Sequence, residues 1–188
     1  MNKLWLTLTA TTLALGIRAE IFTIDPGHAE IGFSVKHMMV SNTKGNFGTF
    51  RGTIDYDPET KMLLAMQAVI EASSINTNNE KRDGHLKNED FFNVTTFPEL
   101  TFTSTSIKKN ADGTFEVSGK LNVLGIDREI VLPVTVNGPV DDPWGFQRIG
   151  VESETVLNRH QLGITHSASA IIGDDVEISI AVEAVYKK

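Results

Sequence analysis

The chain has 188 residues, no cysteine and a formal net charge of −7. Hydrophobic residues make up 40% and charged residues 22%, which excludes a disordered tail and a basic nucleic-acid binder and suits one domain with its own core. The lack of cysteine removes disulfides, zinc–thiolate sites, iron–sulfur clusters and a cysteine nucleophile together.

Residues 1–19 carry the pattern of a secretory signal peptide: Lys3 ahead of an uncharged apolar run from Leu4 to Ile17, then small Ala19 before the expected cut. That run is about fourteen residues, short of the roughly twenty a spanning helix needs, so stable membrane insertion is not expected. No cysteine follows it, which excludes a lipoprotein anchor. The expectation is export to a bacterial periplasm, with residues 20–188 as the folded domain.

From residue 20 onward the apolar residues recur with period two. Ile31, Phe33, Val35 and His37 share one face, and Leu64, Met66, Ala68 and Ile70 another. Leu100, Phe102 and Ser104 follow, then Phe115, Val117, Gly119, Leu121 and Val123. Ile130, Leu132, Val134 and Val136 form the next face, then Ile149, Val151 and Ser153, and last Val176, Ile178, Ile180 and Val182. Turn signals separate them at Asp57-Pro58, Asn110 to Gly113, Asn137-Gly138-Pro139, Asp141-Asp142-Pro143 and Gly173-Asp174-Asp175. The polar run from Asn79 to Asn93 breaks the alternation and predicts one or two short helical turns, and Asn158 to Gly173 predicts a long loop. Short strands with one apolar face each predict an antiparallel barrel or sandwich. The inward faces mix large residues (Phe33, Phe50, Phe102, Phe115) with small ones (Ala68, Gly119, Ser104). A barrel of about eight strands can be filled by side chains or hold one small ligand, and alternation leaves both open.

Motifs of nucleotide-binding loops, serine hydrolases and zincins are absent. The five histidines lie far apart, with no zinc-ligand spacing on one element, so no metal or cofactor is expected. His28 with Asp25 and Glu30 could form an acid–base cluster, or His28 could simply bond a backbone carbonyl at a strand end. His37 falls on the apolar parity of its strand, either as a core histidine or as a polar contact in a cavity. Lys81 to Leu86 places cation, anion and imidazole together, to pin a loop or to meet a polar head group.

Several blocks resemble the YceI-like family of bacterial periplasmic proteins. They are Asp25-Pro26-Gly27-His28 with Ile31 to His37; Gly45 to Gly52; Ser74 to Asn79 leading into Arg82-Asp83-Gly84-His85-Leu86 and on to Phe92; Phe97 to Ser104; Gly119 to Gly125; and Asn158-Arg159 with Leu162-Gly163-Ile164. Their order along residues 22–187 is that of the family. Ala29 stands where the family often has Ser, and Lys87-Asn88 replace a more usual Arg-Ser pair. The resemblance implies an all-β, antiparallel eight-stranded lipocalin-like β-barrel with short helical segments. It also implies binding of a long amphiphile (a polyisoprenoid, or a fatty-amide-like chain) and a homodimer.

On that reading the tail meets Phe33, Val35, Met66, Phe102, Leu121 and Ile180, chosen by inward parity, and Phe91 and Phe92, which a capping helix would bring over the barrel. His37, Arg82, Asp83 and His85 are the head-group candidates. The rival is an enzyme acting on such lipids with His28 or His85 as base; the expectation is a binding protein without catalysis.

Overall fold

The computed structural model describes residues 18–188; except for Arg18 and Ala19, the expected signal peptide lies outside the described residues. The strands are β1 (Glu20–His37), β2 (Ser41–Phe47), β3 (Phe50–Asp57), β4 (Met62–Glu71), β5 (Ile75–Asn76), β6 (Glu99–Lys109), β7 (Phe115–Val123), β8 (Ile126–Asp141), β9 (Phe146–Asn158) and β10 (Ile172–Lys187). The helix α1 covers Glu80–Lys87, inside the predicted helical stretch.

Every ladder is antiparallel, and pairing of β1 with β10 closes an eight-stranded barrel. β2 and β3 together form one stave. β2 runs beside the second half of β1 and β3 beside its first residues, with a bend at Gly48 between them. β5 only extends β2, through Asn46–Asn76 and Phe47–Ile75. Closure satisfies the edge groups that an open sheet would leave exposed.

Antiparallel order sorts the connections to two ends. At the lower end lie the tight turns β3–β4, β6–β7 and β8–β9. At the upper end lie the β1–β2 turn, the whole β4–β6 segment with α1, the β7–β8 turn and the long β9–β10 connection.

The predicted turn at Asn137-Gly138-Pro139 is instead the interior of β8, where the ladder to β9 slips between Asn137 and Val140. Pro139 has no N–H to give a ladder, and Gly138 takes φ +98°, so these residues make a bulge rather than a chain reversal. Gly173-Asp174-Asp175, also predicted as a turn, lies within β10. A further bulge moves the face of β4: Tyr56 pairs with Leu63 and Asp55 with Ala65, leaving Leu64 as the extra residue. Leu63 is therefore the buried residue at 1% exposure, in place of the expected Leu64.

The Asp25 to His28 segment is a bulge on β1, since the ladder to β10 steps from Ile24–Ala184 to Ala29–Val182. Asp25 Oδ1 accepts from the Gly27 N–H, and its Oδ2 meets His28 Nδ1 at 3.1 Å and the Arg148 guanidinium at 3.0 Å. His28 thus partners a carboxylate rather than a backbone carbonyl, and the neighbouring acid is Glu183, not Glu30. Arg148 also binds Asp142 at 2.8 Å and Glu183 at 3.0 Å. Hydrogen bonds from Arg148, then His28 and Gly27, hold the Asp25 carboxyl below the usual carboxylate range.

Aromatic packing fills the lower half. Phe22 lies edge-on to Tyr56 at 6.2 Å and tilted to Tyr186 at 5.7 Å. Leu63, Phe115, Val117, Val134, Ile149, Val151 and Ala184 complete this plug.

Candidate functional site: a cavity in the upper barrel

Above the plug the barrel is hollow, with a cavity of about 430 Å³, within the range of about 300–1,000 Å³ seen for small-molecule sites. Its wall is apolar: Ile24, Ile31, Phe33 and Val35 from β1, Met66, Ala68 and Ile70 from β4, Leu100 and Phe102 from β6, and Leu121 and Val123 from β7. Ile130 and Leu132 of β8, Leu157 of β9 and Val176, Ile178, Ile180 and Val182 of β10 close the ring.

Two glycines allow phenylalanines to lie flat in this wall. A Cβ on Gly45 would come within 2.5 Å of the Phe33 ring, and one on Gly119 within 2.5 Å of the Phe102 ring. Each ring therefore covers backbone that has no side chain.

The β4–β6 segment roofs part of the upper end. No residue of α1 is fully buried; Leu86 packs partly against the core, and a polar knot holds the start of the helix. Asn79 caps it by accepting from the Arg82 N–H. Thr77, 4% exposed, gives its N–H and hydroxyl to Asp83 and takes Arg82 Nε on its hydroxyl and Arg82 Nη2 on its carbonyl. Beyond the helix, Phe91 and Phe92 turn down onto the cavity, where Phe92 meets Phe47 edge-on at 5.8 Å.

The β9–β10 connection is held by Arg159, 3% exposed. Its guanidinium donates to the carbonyls of Gly173, Ile164, His166, Ser167 and Ile172 and to Asp174 Oδ1. This satisfies a buried cation and fixes the loop that brings Leu162, Ile164 and Ile171 to the cavity. Ser169 first, and then His160 and Arg159, keep the Asp174 carboxyl below its ordinary range despite burial.

Of the residues singled out from the sequence, Phe33, Val35, His37, Met66, Arg82, His85, Phe91, Phe92, Phe102, Leu121 and Ile180 all lie on the cavity wall. Asp83 does not; its carboxylate accepts both hydrogen bonds from Thr77. Arg82 reaches the wall with its guanidinium already committed to the same threonine. Lys36 was missed. His37 reaches the wall on the inward parity of its strand, whereas Lys36 joins it where the β1–β10 ladder slips between Val35 and His37, a break in alternation that periodicity does not announce.

Residues 22–184 match the YceI-like domain. The chain belongs to the YceI-like family. It is 34% identical to Protein YceI of Salmonella newport over 190 residues, covering 100% of this chain and 98% of that one. With the UPF0312 protein of Pectobacterium atrosepticum the identity is 33% over the full length of both. Among solved structures, the YceI protein of Campylobacter jejuni superposes with a TM-score of 0.75 at 28% identity, covering 100% of both chains. A polyisoprenoid binding domain from Saccharophagus degradans shares the fold, with a TM-score of 0.70 at 14% identity, covering 90% of this chain and 99% of that one. The eight-stranded YceI-like barrel implied by the sequence blocks is the fold found. Among the described residues no helix is long and apolar enough to cross a membrane.

Proposed function

We propose that this YceI-like barrel encloses one long amphiphile of polyisoprenoid or fatty-amide type, with the tail in the cavity and the head at the upper mouth. The observation that carries this reading is a ring of aliphatic and phenylalanine side chains around an open space, where a stable core would have closed up. Each CH₂ buried there gains about 0.8 kcal/mol, so ten of them supply about 8 kcal/mol before ordering costs. Such binding measures tail length and shape and reads little chemistry, which suits a tail of repeated apolar units. The polyisoprenoid-binding neighbour of the same fold supports this choice of ligand class. Of the head-group candidates, Arg82 and Asp83 are spent on Thr77 and His85 pairs with Asp90, which leaves His37, beside Lys36.

The role is to carry or store that amphiphile in the periplasm, as a homodimer and without catalysis. Support comes from the signal-like leader and the family resemblance. Of the two bases of the enzyme rival, His28 sits at the Asp25 bulge and is absent from the cavity wall, whereas His85 lies on that wall and pairs with Asp90.

The deciding experiment is mass spectrometry of an organic extract of the protein, purified from its native compartment without detergent. One dominant amphiphile near one per chain is expected. A protein that yields none, and also refuses added prenyl and acyl chains, overturns the reading. Light scattering on the same sample tests the dimer.

A further inference from the structure

Two side chains five residues apart, His85 and Asp90, meet a sequence-distant third, His166, at the upper end. His85 Nε2 lies 2.9 Å from one oxygen of Asp90, and His166 Nδ1 lies 3.4 Å from the other. One ligand atom from each residue can be chosen so that all three lie within 4.8 Å of one another. A tetrahedral zinc ion with bonds of about 2.0–2.2 Å needs ligand atoms roughly 3.3–3.5 Å apart, which small side-chain rotations reach from here.

Each member is positioned by bonds that do not involve the others. The Asp90 N–H donates to Asn88 Oδ1 at 2.9 Å. The His166 carbonyl accepts from buried Arg159 at 2.7 Å. His85 sits in the last turn of α1 and packs edge-on against Phe91 at 5.0 Å; the same ring meets His166 at 5.1 Å. Phe91 is 6% exposed, so both imidazoles rest on a dry aromatic floor. Their outer side faces water, with side-chain exposures of 47% for His85, 41% for Asp90 and 37% for His166.

The other cluster of similar make-up among the described residues, Asp25, His28 and Glu183, differs decisively. There the Arg148 guanidinium lies 3.0 Å from both carboxylates and already supplies the cation. At His85, Asp90 and His166 no Arg or Lys among the described residues bridges the group.

We propose that His85, Asp90 and His166 form a binding site for a zinc-class divalent transition metal, with water completing the coordination. Two imidazole nitrogens and one carboxylate suit zinc, cobalt, nickel or copper, whereas magnesium and calcium favour oxygen donors. Coordination through His85 Nε2 leaves its ring proton on Nδ1. The bound ion would tie α1 to the β9–β10 connection, both of which border the cavity. The site is independent of the amphiphile reading: either can fail alone.

The test uses the full chain without a histidine tag. Titration with cobalt(II) should give visible d–d bands of a four- or five-coordinate ion that saturate at one per chain, and zinc should abolish them. H166Q and D90N should each weaken zinc binding at least tenfold, while H28Q, remote from the cluster, binds as the parent does. Far-ultraviolet circular dichroism identifies any variant that has lost its fold, and D90N, close in shape to the parent, keeps the test open if H166Q is that variant. Absence of cobalt bands, or undiminished zinc binding in folded D90N, overturns the proposal.

Discussion

In the lower half of the barrel Phe22, Tyr56, Leu63, Val117, Ile149 and Val151 are exposed by 2% or less. In the upper half Phe33, Met66, Ala68, Ile70, Leu121 and Ile180, on many of the same strands, are only partly buried although they point inward. The hydrophobic pattern is alike in both halves; what differs is filling. Below, aromatic rings from the adjacent strands β10, β1 and β3 pack on one another. Above, glycines at 45 and 119 and alanine at 68 draw the wall back, and the phenylalanines lie along it instead of crossing it. An eight-stranded barrel can thus be a core at one end and a container at the other.

The most severe test of that contrast is a pair of truncations read by chemical denaturation of lipid-free protein. Phe22→Ala removes a ring packed on all sides and should cost about 3–5 kcal/mol. Ile180→Ala borders empty space, already lacks packing partners on one face, and should cost about 2 kcal/mol or less. Equal costs would mean that the cavity collapses in solution and the two halves are alike.

A smaller effect should follow from filling the notch behind Phe102. In Gly119→Ala the new Cβ meets the ring and the Thr103 carbonyl, so the ring must swing into the cavity. Overpacking of this kind costs about 1–3 kcal/mol. The longest acyl chain retained should also shorten, measured by mass spectrometry of a mixed-length lipid series. Unchanged length selection would show that Phe102 does not limit the space.

Acid should act mainly on the ends, where the perturbed carboxylates lie. Burial pushes Asp142 up, but hydrogen bonds from the Phe146 N–H, Arg148 and the Trp144 N–H outweigh it. Asp57 behaves likewise, through Thr60, Arg18 and Glu59. Asp25 and Asp174 are also lowered. Because folding lowers these values, their stabilisation is complete above the unfolded aspartate value of about 4 and is lost as pH falls through the folded values. The melting temperature should therefore drop steeply below about pH 4, and less steeply in Asp142→Asn. A melting temperature flat from pH 5 to 2 would contradict this account.

Much of this architecture is legible in the sequence because a half-buried strand needs period two, and β7 and β10 keep it. Bulges are not legible: the extra residue at Leu64 and the slip around Gly138-Pro139 depend on what the partner strand does. The cavity wall was largely recoverable from parity, yet the choice between filled and hollow was not. That choice depends on volumes summed over strands scattered from residue 22 to 186. His85, Asp90 and His166 escaped for a related reason: their meeting depends on Arg159 folding the β9–β10 connection back, and no spacing within one element encodes it.

The smallest effect expected is a gain, at the rim. Met38 and Met39 hold φ values of +48° and +60° in the β1–β2 turn and are 58% and 63% exposed. A non-glycine residue in the left-handed region costs about 1 kcal/mol that glycine avoids. Met39→Gly should therefore leave the lower plug untouched and raise stability by up to about 1 kcal/mol, part of the gain being offset by the greater freedom of glycine in the unfolded chain. The informative second reading is the rate of lipid uptake from vesicles. A stabilised variant with unchanged uptake would make the rim methionines bystanders. Slower uptake, despite higher stability, would mean that this exposed apolar tip meets the amphiphile or its membrane before the cavity does, so that the upper end both receives the ligand and stores it.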